Sequence, residues 1–243
     1  VNRVRPGTGT VDTTGSGTTR TATASAGTPF AVTDIDVGGT NLERGSMGFT
    51  WSPDSKWLAY SKTESNSFRS IMVWNVDSKK VTSLSNPMAD AISPAWDLNG
   101  RYLYFLASTN VALGSGWANT SSQQAQPTFG AYITLLRNDE PNPFPLKTDE
   151  EPDSTSIAKT KDSKDTIAAS KNVRIDWNNL DTRIIAMPIP TGNYDGLLTG
   201  PKGSVLIISG SSLSKYVIAD KKMEDLVKGG SQFAVSANAE KIL

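Results

Sequence analysis

Histidine and cysteine are both absent from the 243 residues of this chain. Those two absences bound its chemistry. Within these residues there is no Ser-His-Asp triad, no Cys-His dyad, no imidazole or thiolate metal site and no disulfide. Carboxylate pairs, Lys or Tyr bases and carboxylate-held metals remain. The densest carboxylate group is Asp149, Glu150, Glu151 and Asp153. It has the charge to hold a hard cation or a basic partner, but lacks the alternating ligands and central Gly of an EF-hand loop. Runs of like charge are more commonly solvated loop. Asp176, Asp181 and Asp195 form a sparser set. Two carboxylates facing one pocket do acid/base work, yet Asp more often serves a turn or pairs with Arg. No G-x-x-x-x-G-K-S/T phosphate loop occurs. Trp117 stands in a Gly/Ser/Gln-rich stretch outside any repeat, so it is the aromatic best placed for a contact. The residues thus offer no catalytic or metal-binding set. Their binding candidates are Trp117, Asp149, Glu150 and Glu151.

The elements that would position these residues announce themselves by repetition. Phe49–Tyr60 reads FTWSPDSKWLAY, and Ser93–Phe105 reads SPAWDLNGRYLYF. Trp51 and Trp96 lie 45 positions apart. Self-similarity at that period points to four-stranded β-propeller blades. In the first copy Trp51 ends a strand and residues 52–55 turn. Lys56–Lys62 and Ser70–Val76 are the next strands, Asp77–Lys80 is a hairpin, and Val81–Leu84 is the fourth strand. The second copy has its turn at Asp97–Gly100, its second strand at Tyr102–Ala107 and its third at Ala131–Leu136. Weaker copies turn at Gly200–Gly203 and again within Phe233–Leu243. Aligned on the turn, Ser55, Gly100, Gly203 and Ala239 are separated by 45, 103 and 36 residues. The long middle interval holds an insertion.

Two interruptions stand out, near residues 110–126 and 137–171. The second is Pro-rich and acidic, then turns to Ser, Thr, Lys and Asp, a composition that buries too little apolar surface to order itself. Loops on a rigid scaffold are where binding concentrates. The Trp and Tyr residues inside the repeats are expected to fill the space between blades. Residues 1–45, rich in Thr and Gly, read as a poorly matching N-terminal blade or a disordered segment. Residues 46–243 read as the propeller. The start at Val1, within blade-like sequence, suggests a piece of a longer protein. Lys plus Arg equals Asp plus Glu at 24 each, so no net field steers nucleic acid or an anionic membrane. No apolar run approaches the ~20 residues of a bilayer span. Both cytoplasm and export stay open as compartments.

Four strings carry a family resemblance: WSPDSKWLAYSK at 51–62, SIMVWNVDSKKVTSLS at 70–85, SPAWDLNGRYLYFLAST at 93–109 and VRIDWNNLDTRIIAMPIPTGNYDGL at 173–197. Together they resemble the propeller of tricorn-type serine proteases, and the last is the most distinctive. The resemblance implies an all-β fold, a partial propeller ring of about four to five blades of four antiparallel strands. In that family two propellers precede a regulatory region, a PDZ module and a protease core with a Ser nucleophile and a His base. This chain has no His, so no catalytic residue carries over. What the resemblance implies is a non-catalytic portion that admits or guides peptides to a catalytic core outside the chain. Its implied partners are peptide substrates or the remainder of the protease, with a homo-oligomer as the full-length protein. No cofactor, nucleic acid or membrane is implied. The repeat by itself equally suits a stand-alone propeller that docks a protein partner, and, less well, a small-molecule enzyme built on carboxylates.

Overall fold

The computed structural model describes residues 2–4, 11–13, 18–23, 31–37, 47–110, 128–145, 172–230, 232–236 and 238–243. Strands β1 (Asn2–Val4) and β2 (Val11–Thr13) pair, as do β3 (Thr18–Thr23) and β4 (Ala31–Val37). Three complete four-stranded antiparallel sheets follow. The first blade is β5 (Thr50–Trp51), β6 (Trp57–Thr63), β7 (Arg69–Asn75) and β8 (Val81–Ser83). The second is β9 (Asp90–Trp96), β10 (Tyr102–Ser108), β11 (Gly130–Leu135) and β12 (Ile184–Ala186). The third is β13 (Gly196–Thr199), β14 (Ser204–Ser209), β15 (Ser212–Val217) and β16 (Lys222–Lys228). A bridge between Val235 and Ile242 begins another hairpin.

Strand β10 shows why these blades stand side by side. It reads YLYFLAS, apolar at nearly every position, and all seven residues are buried. A strand half-exposed on one face would alternate apolar with polar, whereas this one is covered on both. Tyr102, Tyr104 and Leu106 pack with Leu197, Val205, Ile207 and Tyr216 of the third blade. Leu103, Phe105 and Ala107, pointing the other way, pack with Ala59, Ile71 and Val73 of the first. The period-2 alternation therefore divides one strand between two interblade cores. A third core joins Leu58, Tyr60, Met72 and Trp74 to Ile35 of β4. There Asp36 accepts hydrogen bonds from Tyr60 Oη at 2.7 Å and Lys62 Nζ at 2.8 Å. Burial, then the Asp36 bond, pushes the Tyr60 phenol upward.

The turn between first and second strands is the same device four times. Ser55, Gly100, Gly203 and Ala239, the positions aligned from sequence, all have positive φ, at 60°, 68°, 73° and 55°. Each closes a tight reversal whose backbone must enter the left-handed region. Gly100 has a further constraint, since an added Cβ would sit 2.9 Å from Val173 Cγ2. Side chains reinforce the turn. Trp57 N donates to Ser52 Oγ at 3.0 Å, and Lys241 N to Ser236 Oγ at 3.0 Å.

The structure differs from the sequence reading at two strands. Within 173–197, Ile184–Ala186 supplies the outer strand of the second blade, pairing Tyr132, Ile133 and Thr134, a strand the repeat did not mark. The chain between β11 and β12, together with the shorter insertion between β10 and β11, stretches the spacing between turns to 103 residues. The first strand of the third blade, Gly196–Thr199, is also new. It is only four residues long and follows Gly, Asn, Tyr and Asp, so no alternation marks it.

Candidate functional site: the hub wall

Strands β5, β9 and β13 are the inner edges of their sheets, and side chains tie them to one another. Trp96 Nε1 donates to the carbonyl of Thr50 at 3.1 Å, joining the first two blades. Between the second and third, Leu197 N donates to Ser93 Oγ at 2.7 Å and Ser93 Oγ donates back to Leu197 O at 3.3 Å. One hydroxyl thus imitates a strand partner. Ser93 reaches it because β9 bulges there, with Ser93 at φ 52°. A Cβ on Gly196 would lie 3.2 Å from that hydroxyl, so the approach favours glycine. By contrast the outermost strand β16 is exposed along its whole length.

The inner strands and the turns that follow them wall a cavity of about 500 Å³, reaching from Gly48 and Phe49 to Val235 and Ser236. Two aromatics, Phe49 and Trp51, are 50% and 43% exposed. Trp96, which occupies the position in its blade that Trp51 holds in the first, is fully buried. Trp51 rests edge-on against Trp74 at 6.3 Å. Among the wall's side chains are the hydroxyls of Thr50, Ser55 and Thr199. None of the seventeen described residues that line it is Asp, Glu, Lys or Arg, although a fifth of the chain is charged. The chemistry these described residues offer is hydrogen bonding and apolar contact, with no acidic or basic side chain among them.

The carboxylates next to the wall in the first two blades are committed elsewhere. Asp54 accepts the Val173 N–H at 2.7 Å, and Asp97 accepts the Gly203 N–H at 3.3 Å and the Arg101 N–H at 3.4 Å. Both carboxylates of the W-S-P-D-type turns therefore face the seams between strands and blades. Burial raises the Asp97 carboxyl above its ordinary range, opposed by those N–H donors. Asp90 is fully buried and takes Arg69 N, Nε and Nη2 at 2.8, 3.0 and 2.5 Å, riveting the first blade to the second.

Trp117, Asp149, Glu150 and Glu151, the binding candidates from sequence, lie outside the described residues. So does Asp153. The neck of the first loop is described: Asn110 Nδ2 donates to Thr128 Oγ1 at 3.2 Å and Thr128 N to Asn110 Oδ1 at 3.0 Å. The other three carboxylates serve local structure. Asp176 accepts from Asn138 N at 3.1 Å and Arg174 Nε at 2.9 Å, and the Asn138 N–H followed by the Arg174 charge keeps its carboxyl low. Asp181 lies in the first turn of a short 3-10 helix, and Asp195 takes the Gly210 N–H at 2.5 Å. Among the described residues no cluster of three or more acidic side chains suits a metal ion. The hub wall itself was not picked out by residue type. Its one signal is position, in each case the residues just before and within the repeated turn.

Four-stranded antiparallel blades whose first strands gather on one cavity define a portion of a β-propeller. The chain belongs to the family of the tricorn protease second beta propeller domain, whose family model matches residues 40–243. It is 27% identical over 212 residues to a tricorn protease homolog of Saccharolobus solfataricus, a match covering 81% of this chain and 18% of that protein. It is 25% identical to tricorn protease homolog 1 of Streptomyces coelicolor, over 82% of this chain and 20% of that protein. The crystal structure of the tricorn protease superposes with a TM-score of 0.56 at 18% identity, covering 87% of this chain and 21% of that one. TolB from Acinetobacter baumannii gives 0.52 at 15% identity, over 87% and 39%. These two share the fold. The chain spans about a fifth of the length of the curated relatives it matches.

Proposed function

We propose that this chain is the non-catalytic propeller portion of a tricorn-like serine peptidase, and that its hub admits or guides peptides toward a catalytic core carried elsewhere in that protein. The observation that carries the reading is the hub cavity. Its wall is built from the inner strands of successive blades, it exposes Phe49 and Trp51, and its described residues present hydroxyls and no acid or base. Inner strands also leave one edge unpaired by their own sheets, and an extended peptide can hydrogen-bond along such an edge. Supporting this are the family membership and relatives that are themselves named proteases. Residues 46–243 are the propeller unit in this reading. Trp117 and the acidic run Asp149, Glu150 and Glu151 are proposed contacts for peptide or for the rest of the protease.

The test is a narrowing of the passage in the full-length protein. Thr199→Trp adds an indole to the wall. Turnover of long unfolded peptides should fall about tenfold or more, while a capped short amide substrate, small enough to enter by any route, is cleaved at the normal rate. Equal rates for the long peptide in variant and parent would refute guidance through the hub.

A further inference from the structure

We infer that the hub wall selects peptide segments by the absence of charge: it takes an uncharged, apolar or aromatic stretch of extended chain and disfavours a Lys or Glu at the same place. This rests on the peptide-guiding reading above and adds the substrate class. The argument begins with the wall's composition. All seventeen described lining residues are uncharged in a chain that is one-fifth Asp, Glu, Lys and Arg. The neutrality is built by tertiary contacts. Asp54 and Asp97 belong to the same turns as the wall, yet Asp54 bonds Val173 N and Asp97 bonds Gly203 N. Asp90, at the start of β9, is neutralised by Arg69. A charged side chain held against this surface gives up hydration and meets no countercharge among the described lining residues, which is costly. An uncharged segment loses little and gains the half-exposed faces of Phe49 and Trp51 together with the hydroxyls of Thr50, Ser55 and Thr199.

Ser55 gives the inference a sharp test. It lines the cavity, is exposed, and sits at φ 60°, a conformation that Asn and Asp tolerate better than most residues. Ser55→Asn and Ser55→Asp therefore differ in charge and hardly in backbone demand. The probes are three N-acetylated, C-amidated peptides of Gly, Ser, Leu and Phe that differ only in a central Gln, Lys or Glu. Binding to the full chain is followed at the indole N–H resonance of Trp51. The Gln peptide should bind about tenfold more tightly than either charged one. Ser55→Asp should bring the Lys peptide to or above the level of the Gln peptide and weaken the Glu peptide further, while Ser55→Asn keeps the parent's order. Equal binding of all three peptides would overturn charge exclusion and leave peptide guidance standing. Tighter binding of a charged peptide by the parent chain would also overturn it. A failure of every peptide to shift the Trp51 resonance would overturn both readings.

Discussion

Removal of the Asp90 carboxylate tests how blades are held together. Asp90 begins β9 and is 0% exposed, while the Arg69 side chain that grips it from β7 is 12% exposed. Three donors of Arg69 converge on it, one of them the main-chain N–H. Asp90→Ala would leave the guanidinium with water largely excluded and its carboxylate gone. Removing one side of a buried ion pair costs about 3–5 kcal/mol. At ~2–4 °C per kcal/mol for a domain of this size, Tm should drop by roughly 6–20 °C. Urea unfolding followed by Trp fluorescence gives the same quantity as a shift in midpoint, and an unchanged slope would show that the unfolding unit is preserved. Two further variants separate charge from packing. Arg69→Met combined with Asp90→Leu replaces the pair with apolar bulk and should recover most of the loss. Asp139→Ala breaks the Arg137–Asp139 pair, which is 43% and 63% exposed, and should leave the midpoint where it was. A loss below about 1 kcal/mol for Asp90→Ala would refute the claim that this ion pair is a buried rivet between blades.

Three more expectations follow from the same geometry. Gly100→Ala should destabilise more than Gly203→Ala in thermal melts: both have positive φ, but the added Cβ meets Val173 Cγ2 at 2.9 Å in one and open space in the other. Ala239→Gly should stabilise by about 0.5–1 kcal/mol, because it relieves an alanine held at φ 55°. Asp97 bears on pH. Burial raises its folded carboxyl above the unfolded value, so within that window the folded chain binds more protons and is favoured as pH falls. Asp97→Asn retains an acceptor for Gly203 N–H and loses the titration. The stability of the parent relative to Asp97→Asn should therefore rise on acidification through the window, and a flat difference across pH would contradict the burial argument.

Much of the scaffold was legible in the sequence because each feature is local. The turns were found by type and spacing, and the structure puts Ser55, Gly100, Gly203 and Ala239 all at positive φ. Strand β10 was legible because a segment buried on both faces is apolar at nearly every position. Strand β12 was not. It has three residues, follows a long insertion and is a strand only because Tyr132–Thr134 pair with it. The short β13 is a strand for the same reason, through Val205–Ile208. Local pattern cannot reveal a strand whose stability comes from its neighbour.

Taken by itself, the sequence determined the blade grammar, the family and the absence of His- or Cys-based chemistry. Each follows from residue identity and spacing along the chain. Tertiary structure alone decided where the chain presents a surface for contact. The uncharged surface of the described hub residues depends on three first strands meeting across 50, 93–96 and 197, and on Asp54 and Asp97 facing backbone N–H groups instead of the cavity. Whether a carboxylate in a turn points to a seam or to solvent depends on which donors the neighbouring strand or blade supplies. Those donors lie 119 residues away for Asp54 and 106 away for Asp97.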